Sequence, residues 1–151
     1  NAVRVYLPKG KWVDFWSKQV VNGGQWLNLT PTLDTLPLWV HGGEILPLGP
    51  AQDFVDQKPL DPLILELYAP QGSHELVIED EDRPSIPVSY QRRGKKLTVK
   101  VGAAPGMVEV ILYGVQASSA RRGDSPLPHS ADGAKVQLDG QDGFEIVFTL
   151  T

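Results

Sequence analysis

Leu36-Pro37-Leu38-Trp39-Val40-His41-Gly42-Gly43-Glu44-Ile45-Leu46-Pro47 decides the class of fold. It reads as two short apolar strands meeting at a Gly-Gly corner, with prolines marking where ladder hydrogen bonding starts and stops. Gly42 and Gly43 take positive φ without a Cβ clash, so they allow a tight reversal or a bulge. So many aliphatic residues beside a tryptophan call for burial. Trp39 alone can bury about 150–250 Å², roughly 4–6 kcal/mol at ~25 cal/mol per Å². The stretch is expected to be core.

Composition agrees with that reading. The 151 residues include 15 glycines and 13 prolines without a period, which leaves little room for helices of ordinary length. An all-β chain is expected. The acidic run Glu79-Asp80-Glu81-Asp82 accounts for the whole net charge of −4 and leaves 14 acidic against 14 basic residues elsewhere. No basic face stands out, so no nucleic-acid partner is expected. Cysteine is absent, which excludes disulfides, a thiolate nucleophile and zinc–thiolate ligation but leaves the compartment open. No apolar run approaches the ~20 residues of a membrane-spanning helix, so no membrane partner is expected. The chain opens Asn1-Ala2-Val3 with neither methionine nor a signal-peptide pattern, and it reads as part of a longer protein.

On the N-terminal side of the central stretch, Val3, Val5 and Leu7 alternate with Arg4 and Tyr6, the period of a half-buried strand. Pro8-Lys9-Gly10 is a turn signal, and Lys11–Trp16 is expected to return as the second arm of a hairpin. That places Trp12, Asp14 and Trp16 on one strand face. Asn22-Gly23-Gly24 predicts a second hairpin turn between Val20-Val21 and Gln25–Leu29. Asn28-Leu29-Thr30 is formally a glycosylation triplet, but Pro31 follows it and it carries no weight.

On the C-terminal side, residues 48–62 hold Pro50, Pro59 and Pro62 among polar residues. They read as a linker, which divides the chain into units 1–52 and 53–151. Strands are expected at Leu63–Tyr68, His74–Ile78, Val88–Tyr90, Lys96–Val101, Met107–Tyr113, Lys135–Leu138 and Phe144–Leu150. Arg92–Lys95 is an exposed hairpin tip, and Met107–Tyr113 is apolar enough to be covered on both faces. Residues 117–134 read as a surface loop with at most one weak strand. The sum is two small antiparallel β-sandwich units in series.

No constellation for catalysis emerges. His41, His74 and His129 lack metal-ligand spacing, and a lone histidine is ordinarily a hydrogen-bonded structural residue. Serines lack a nucleophile-elbow context. The run Glu79–Asp82 either holds a hard cation such as calcium or is a solvated acidic turn paired with Arg83, Arg92 or Arg93; it lacks the spacing of an EF-hand loop. Paired carboxylates of a retaining glycosidase sit about 5–5.5 Å apart in a cleft, which neighbouring acids on one exposed strand cannot build. Catalytic, cofactor-binding and metal positions are therefore all assigned as none.

Three segments resemble a known family. Val5-Tyr6-Leu7-Pro8-Lys9-Gly10-Lys11-Trp12-Val13-Asp14-Phe15-Trp16 is similar to the segment that follows the catalytic barrel in glycoside hydrolase family 31. Gly23-Gly24 followed by Leu33-Asp34-Thr35-Leu36-Pro37-Leu38-Trp39-Val40 resembles the same proximal C-terminal domain. So does Gly43-Glu44-Ile45-Leu46-Pro47, where the family usually has an arginine near His41 and a small residue near Glu44. The likeness covers about the first 50 residues. Beyond them the chain resembles the distal C-terminal β-domain only loosely, with Ile78 and a missing glycine departing from the family's acidic turn. The family comprises α-glucosidases, α-xylosidases and related transglycosidases. The resemblance implies a retaining α-glycosidase whose nucleophile and acid/base aspartates lie on an upstream (β/α)8 barrel, so none is carried onto this chain. It implies a bracing role against that barrel, with subunit contacts open. The contrasting reading is a carbohydrate-binding module that stacks sugar on Trp12, Trp16 or Trp26, and a calcium-stabilised adhesion module is a third.

Overall fold

A computed structural model of the chain describes residues 2–32, 34–53, 57–80, 83–130 and 135–151. All regular structure in them is strand. The N-terminal part contains β1 (Val3–Leu7), β2 (Lys11–Asp14), β3 (Val20–Asn22), β4 (Gln25–Leu29) and β5 (Trp39–His41). The remainder contains β6 (Ile45–Leu48), β7 (Leu63–Tyr68), β8 (Ser73–Asp80), β9 (Arg83–Arg93) and β10 (Lys96–Val101). It continues with β11 (Met107–Tyr113), β12 (Ala117–Arg122), β13 (Ser125–Pro126), β14 (Lys135–Asp139) and β15 (Phe144–Leu150).

The larger body is a sandwich. A six-stranded sheet in the order β13-β12-β15-β10-β9-β8 faces a four-stranded sheet in the order β14-β11-β7-β6. Period-2 alternation explains the core between them. Leu63, Leu65 and Leu67 of β7 and Val108, Val110 and Leu112 of β11 meet Leu97 and Val99 of β10 and Ile146 and Phe148 of β15. Each side chain so buried contributes about 1.5–3 kcal/mol. Strands β7 and β11 pair in parallel, while the other ladders are antiparallel. Glu109 on the outer side of β11 is also buried, as expected for a strand covered on both faces.

The N-terminal part is built differently from its turn signals. β1 pairs with β4, and β2 pairs with β3, so Lys11–Trp16 does not fold back on β1 and Gln25–Leu29 does not fold back on β3. The segment is one long bent hairpin, residues 3–14 against 20–29, closed by residues 15–19. Pro8-Lys9-Gly10 and Asn22-Gly23-Gly24 face each other as the bend. Gly23 N–H donates to the Gly10 carbonyl at 2.7 Å, and Gly24 N–H donates to that of Leu7 at 2.7 Å. A Cβ on Gly23 would lie 1.7 Å from the Pro8 carbonyl oxygen, so glycine here serves close approach rather than reversal. The closing turn contains no glycine or proline. The Asp14 carboxylate organises it, accepting from the Trp16 and Ser17 N–H groups at 3.0 and 2.7 Å.

The central stretch also departs from expectation. β5 joins the three-stranded sheet β3-β2-β5, while β6 joins the sandwich. Gly42-Gly43 thus carries the chain from one sheet to another, with Gly43 at φ 104°. Ile45 is buried, but Trp39 is only partly so, and Leu36 and Leu38 are 67% and 38% exposed. Leucines at a strand's approach lack the cross-strand neighbours that would cover them. A further correction concerns 117–122, a six-residue strand paired to β15 where the sequence suggested a loop with room for one weak strand. Its inward small residues Ala117 and Ala120 give the alternation too little hydrophobic contrast to read.

Candidate functional site

Two features of the described residues stand out, and both involve the N-terminal hairpin. The first is an uncovered apolar face. Arg4 and Tyr6 of β1 lie opposite Asn28 and Trp26 of β4. Trp26 is 57% exposed, its ring 5.3 Å from that of Tyr6, with the Arg4 guanidinium 4.9 Å over it. Trp16 is 56% exposed and stands edge-on to Phe15, its indole N–H donating to the Leu36 carbonyl at 2.7 Å. A hollow of about 390 Å³ lies beside it, walled by Trp16, Leu29, Pro31, Pro37 and Trp39. Trp12 and Trp16 do not share a strand face, because β2 ends at Asp14. Trp12 is half-buried instead, edge-on to His41 at 5.0 Å and donating to the Pro8 carbonyl.

The second feature is the joint between hairpin and sandwich. Val13, Phe15 and Val40 pack on Leu46, Tyr68, Ala69 and Tyr113, which cover the outer side of the four-stranded sheet. The corner is pinned by backbone: Gly43 N–H donates to the Tyr68 carbonyl at 2.7 Å, and Tyr68 N–H to that of Glu44 at 3.0 Å. The Tyr90 hydroxyl donates to the Gly43 carbonyl at 2.7 Å, and burial pushes that phenol's pKa up.

At the centre of the joint is a polar cluster. Glu66 is 7% exposed on β7. Its carboxylate accepts from the Tyr68 hydroxyl, and from the Tyr113 hydroxyl at 3.1 Å. Lys18 Nζ donates to the Tyr68 hydroxyl at 2.8 Å and lies 3.5 Å from Glu66 Oε2. It also sits 4.4 Å from the Phe15 ring centre, 4.3 Å from that of Tyr113 and 5.1 Å from that of Tyr68. Burial first, then the Glu66 hydrogen bond and charge, raise the Tyr68 pKa far above its ordinary value. Burial and the Glu66 charge push Tyr113 up to about 12. Sequence reasoning missed this cluster. Glu66 alternates with the inward leucines of β7, and Lys18 lies 48 residues away in the chain, so no local pattern links them.

The three histidines do not converge with acids into a metal site; among the described residues no group of three or more ligating side chains is arranged for one. His41 is exposed and abuts Gly10, His74 lies 3.6 Å from a Glu44 oxygen, and exposed His129 lies beside the Leu127 carbonyl. Glu79 is exposed at the end of β8, but the Asp80 side chain and residues Glu81 and Asp82 lie outside the described residues. An open polar groove of about 720 Å³ crosses the six-stranded sheet past His74, Gln91, Thr98, Lys100 and Glu145. Its Lys100 and Glu145 are engaged with each other at 3.2 Å.

The fold, though not any particular side chain, is shared with known proteins. Residues 1–46 match the profile described as the glycosyl hydrolase family 31 C-terminal domain. An alpha-glucosidase 2 from Bacillus thermoamyloliquefaciens is 26% identical over 141 residues, covering 91% of this chain and 17% of that protein. An alpha-xylosidase from Saccharolobus solfataricus is 24% identical over 148 residues, covering 91% of this chain and 20% of that protein. The cycloalternan-forming enzyme of Listeria monocytogenes shares the fold, with a TM-score of 0.84 and 21% identity across 98% of this chain and 17% of that one. The chain therefore spans a fifth or less of the length of these relatives.

Proposed function

We propose that this chain, whose residues 1–46 match the profile of the glycosyl hydrolase family 31 C-terminal domain, is a non-catalytic region of an α-glycosidase that braces the catalytic barrel. Hydrolysis of α-glucosidic or α-xylosidic bonds would then belong to residues upstream of Asn1. The observation that carries this reading is the distribution of exposed apolar side chains. Among the described residues, Val3, Tyr6, Trp16, Val20, Trp26, Leu36 and Leu38 of the N-terminal part are exposed large apolar side chains, against only Val77 and Met107 in the sandwich. A folded monomer rarely leaves so much apolar surface in one region unless something covers it. The proposed division of the chain at residue 52 fits this role, with β6 as the strand by which the N-terminal part enters the sandwich.

The reading is tested in the full-length enzyme and in this chain by itself. The chain should not turn over nitrophenyl α-glucosides. In the full-length enzyme, Trp16→Asp with Leu36→Asp should lower the melting temperature of the catalytic part, while the same pair leaves the isolated chain unchanged. Turnover by the chain alone would end the proposal, as would full-length enzyme indifferent to both changes.

The Trp26–Tyr6–Arg4 cluster also favours a second reading, a sugar platform, because exposed aromatic rings flanked by a cation and an amide suit carbohydrate stacking. Tryptophan emission that does not respond to maltooligosaccharides or xyloglucan fragments would count against it.

A further inference from the structure

We infer that Lys18 is a latch that holds the N-terminal hairpin on the sandwich at one setting and makes the two parts unfold together. The inference concerns contacts within this chain and stands apart from whether a barrel covers the hairpin's other face.

Delivery of the side chain is the first argument. Lys18 has φ of 60°, a left-handed conformation that is unfavourable for a non-glycine residue. The turn enforces it: the Lys18 N–H donates to the Asp14 carbonyl at 2.9 Å, and Asp14 N–H donates to the Gln19 carbonyl at 2.9 Å. The Asp14 carboxylate additionally accepts from the Ser17 hydroxyl at 2.9 Å. A strained residue held by so many bonds is one whose direction matters.

What the ammonium meets is the second argument. Phe15 comes from its own hairpin, whereas Glu66, Tyr68 and Tyr113 come from the sandwich. One charge therefore joins two bodies through cation–aromatic contacts, a neutral hydroxyl and a carboxylate. Without Lys18, the buried Glu66 carboxylate would keep its two phenol donors but lose its cation, the arrangement that a low-dielectric site tolerates least.

Scale is the third. Among the described residues the buried apolar side chains at the joint are Val13, Tyr68 and Ala69, flanked by partly buried Phe15, Val40, Leu46 and Tyr113, against 21 buried in the sandwich core cluster. So small an apolar contact leaves the polar cluster a large share of the attachment.

The chain contains its own reporters. All four tryptophans lie at or before Trp39, so their emission follows the N-terminal part, while far-ultraviolet dichroism follows mainly the sandwich. In the unaltered chain the two thermal transitions should coincide. In Lys18→Met, which keeps a long apolar stem, the emission midpoint should fall roughly 5 °C or more below the dichroism midpoint. Glu66→Gln should separate them in the same direction. Val99→Ala, a core change remote from the joint, should lower both midpoints together. Coincident transitions in Lys18→Met, whether unshifted or moving as in Val99→Ala, overturn the latch, as would separate transitions in the unaltered chain. Should Lys18→Met fail to fold, Glu66→Gln decides by the same criterion.

Discussion

The N-terminal part, residues 3–41, and the sandwich, residues 45–150, are made from the same kind of strand, yet they solve burial in opposite ways. In the sandwich, side chains of two sheets interdigitate and Leu63, Leu65, Leu97, Val99, Ile146 and Phe148 have no exposed surface. In the hairpin, Val13, Phe15 and Val40 pack on the sandwich, while Trp16, Trp26 and Leu36 are more than half exposed. A two-stranded ribbon has too little area to form a core alone. Its stability is therefore borrowed from the sandwich it packs on, and the function proposed above adds a second support on the exposed side.

The largest test of that contrast is in the sandwich. Phe148→Ala should cost about 3–5 kcal/mol by urea denaturation, with the far-ultraviolet and tryptophan signals falling together. A loss below ~1 kcal/mol would mean the core can collapse around the gap.

Gly23→Ala should come next, at about 2–4 kcal/mol, because the added methyl meets backbone rather than a yielding side chain. The expected readout is an altered tryptophan emission spectrum with the sandwich dichroism retained. Trp39→Ala should cost about 1–2 kcal/mol, less than for a fully buried tryptophan, since its ring is only partly covered.

Alkali should weaken the joint. A phenol whose folded pKa is raised is held neutral by the fold, so its contribution is complete below its ordinary value of 10.0 and fades as pH rises towards about 12 for Tyr113. Tyr68 shifts in the same direction. Urea midpoints should therefore fall above pH 10, and Tyr113→Phe should make that fall shallower. At neutral pH the same change should cost about 0.5–1.5 kcal/mol for the lost bond to Glu66. An equally steep alkaline fall in Tyr113→Phe would count against this origin.

The smallest effect is expected on the uncovered face. Trp26→Ser and Leu36→Ser should each change the stability of this chain by no more than about 0.5 kcal/mol while reducing its binding of a hydrophobic dye. A destabilisation of 2 kcal/mol or more by either would contradict the exposure of those side chains.

Alternation in the sequence was enough to locate β7, β10 and β15, because period 2 is a local property of extended backbone, while β11 was legible as an apolar run. The hairpin tip at Arg92–Lys95 was equally legible, with β9 and β10 paired around it. Pairing elsewhere was not. Asn22-Gly23-Gly24 and Pro8-Lys9-Gly10 carry every mark of a reversal, yet they make a bend, since a glycine that permits a turn also permits two backbones to touch. The true reversal at residues 15–19 gave no such mark, because a carboxylate and a strained lysine do the work that glycine does elsewhere. By itself, then, the sequence determined an all-β chain, the positions of most sandwich strands and a likeness to a family over the first third. Which strands became neighbours, which tryptophans stayed uncovered, and that Lys18 would meet Glu66 across 48 residues were decided only by tertiary structure. Those outcomes depend on contacts between distant segments, and no local pattern records them.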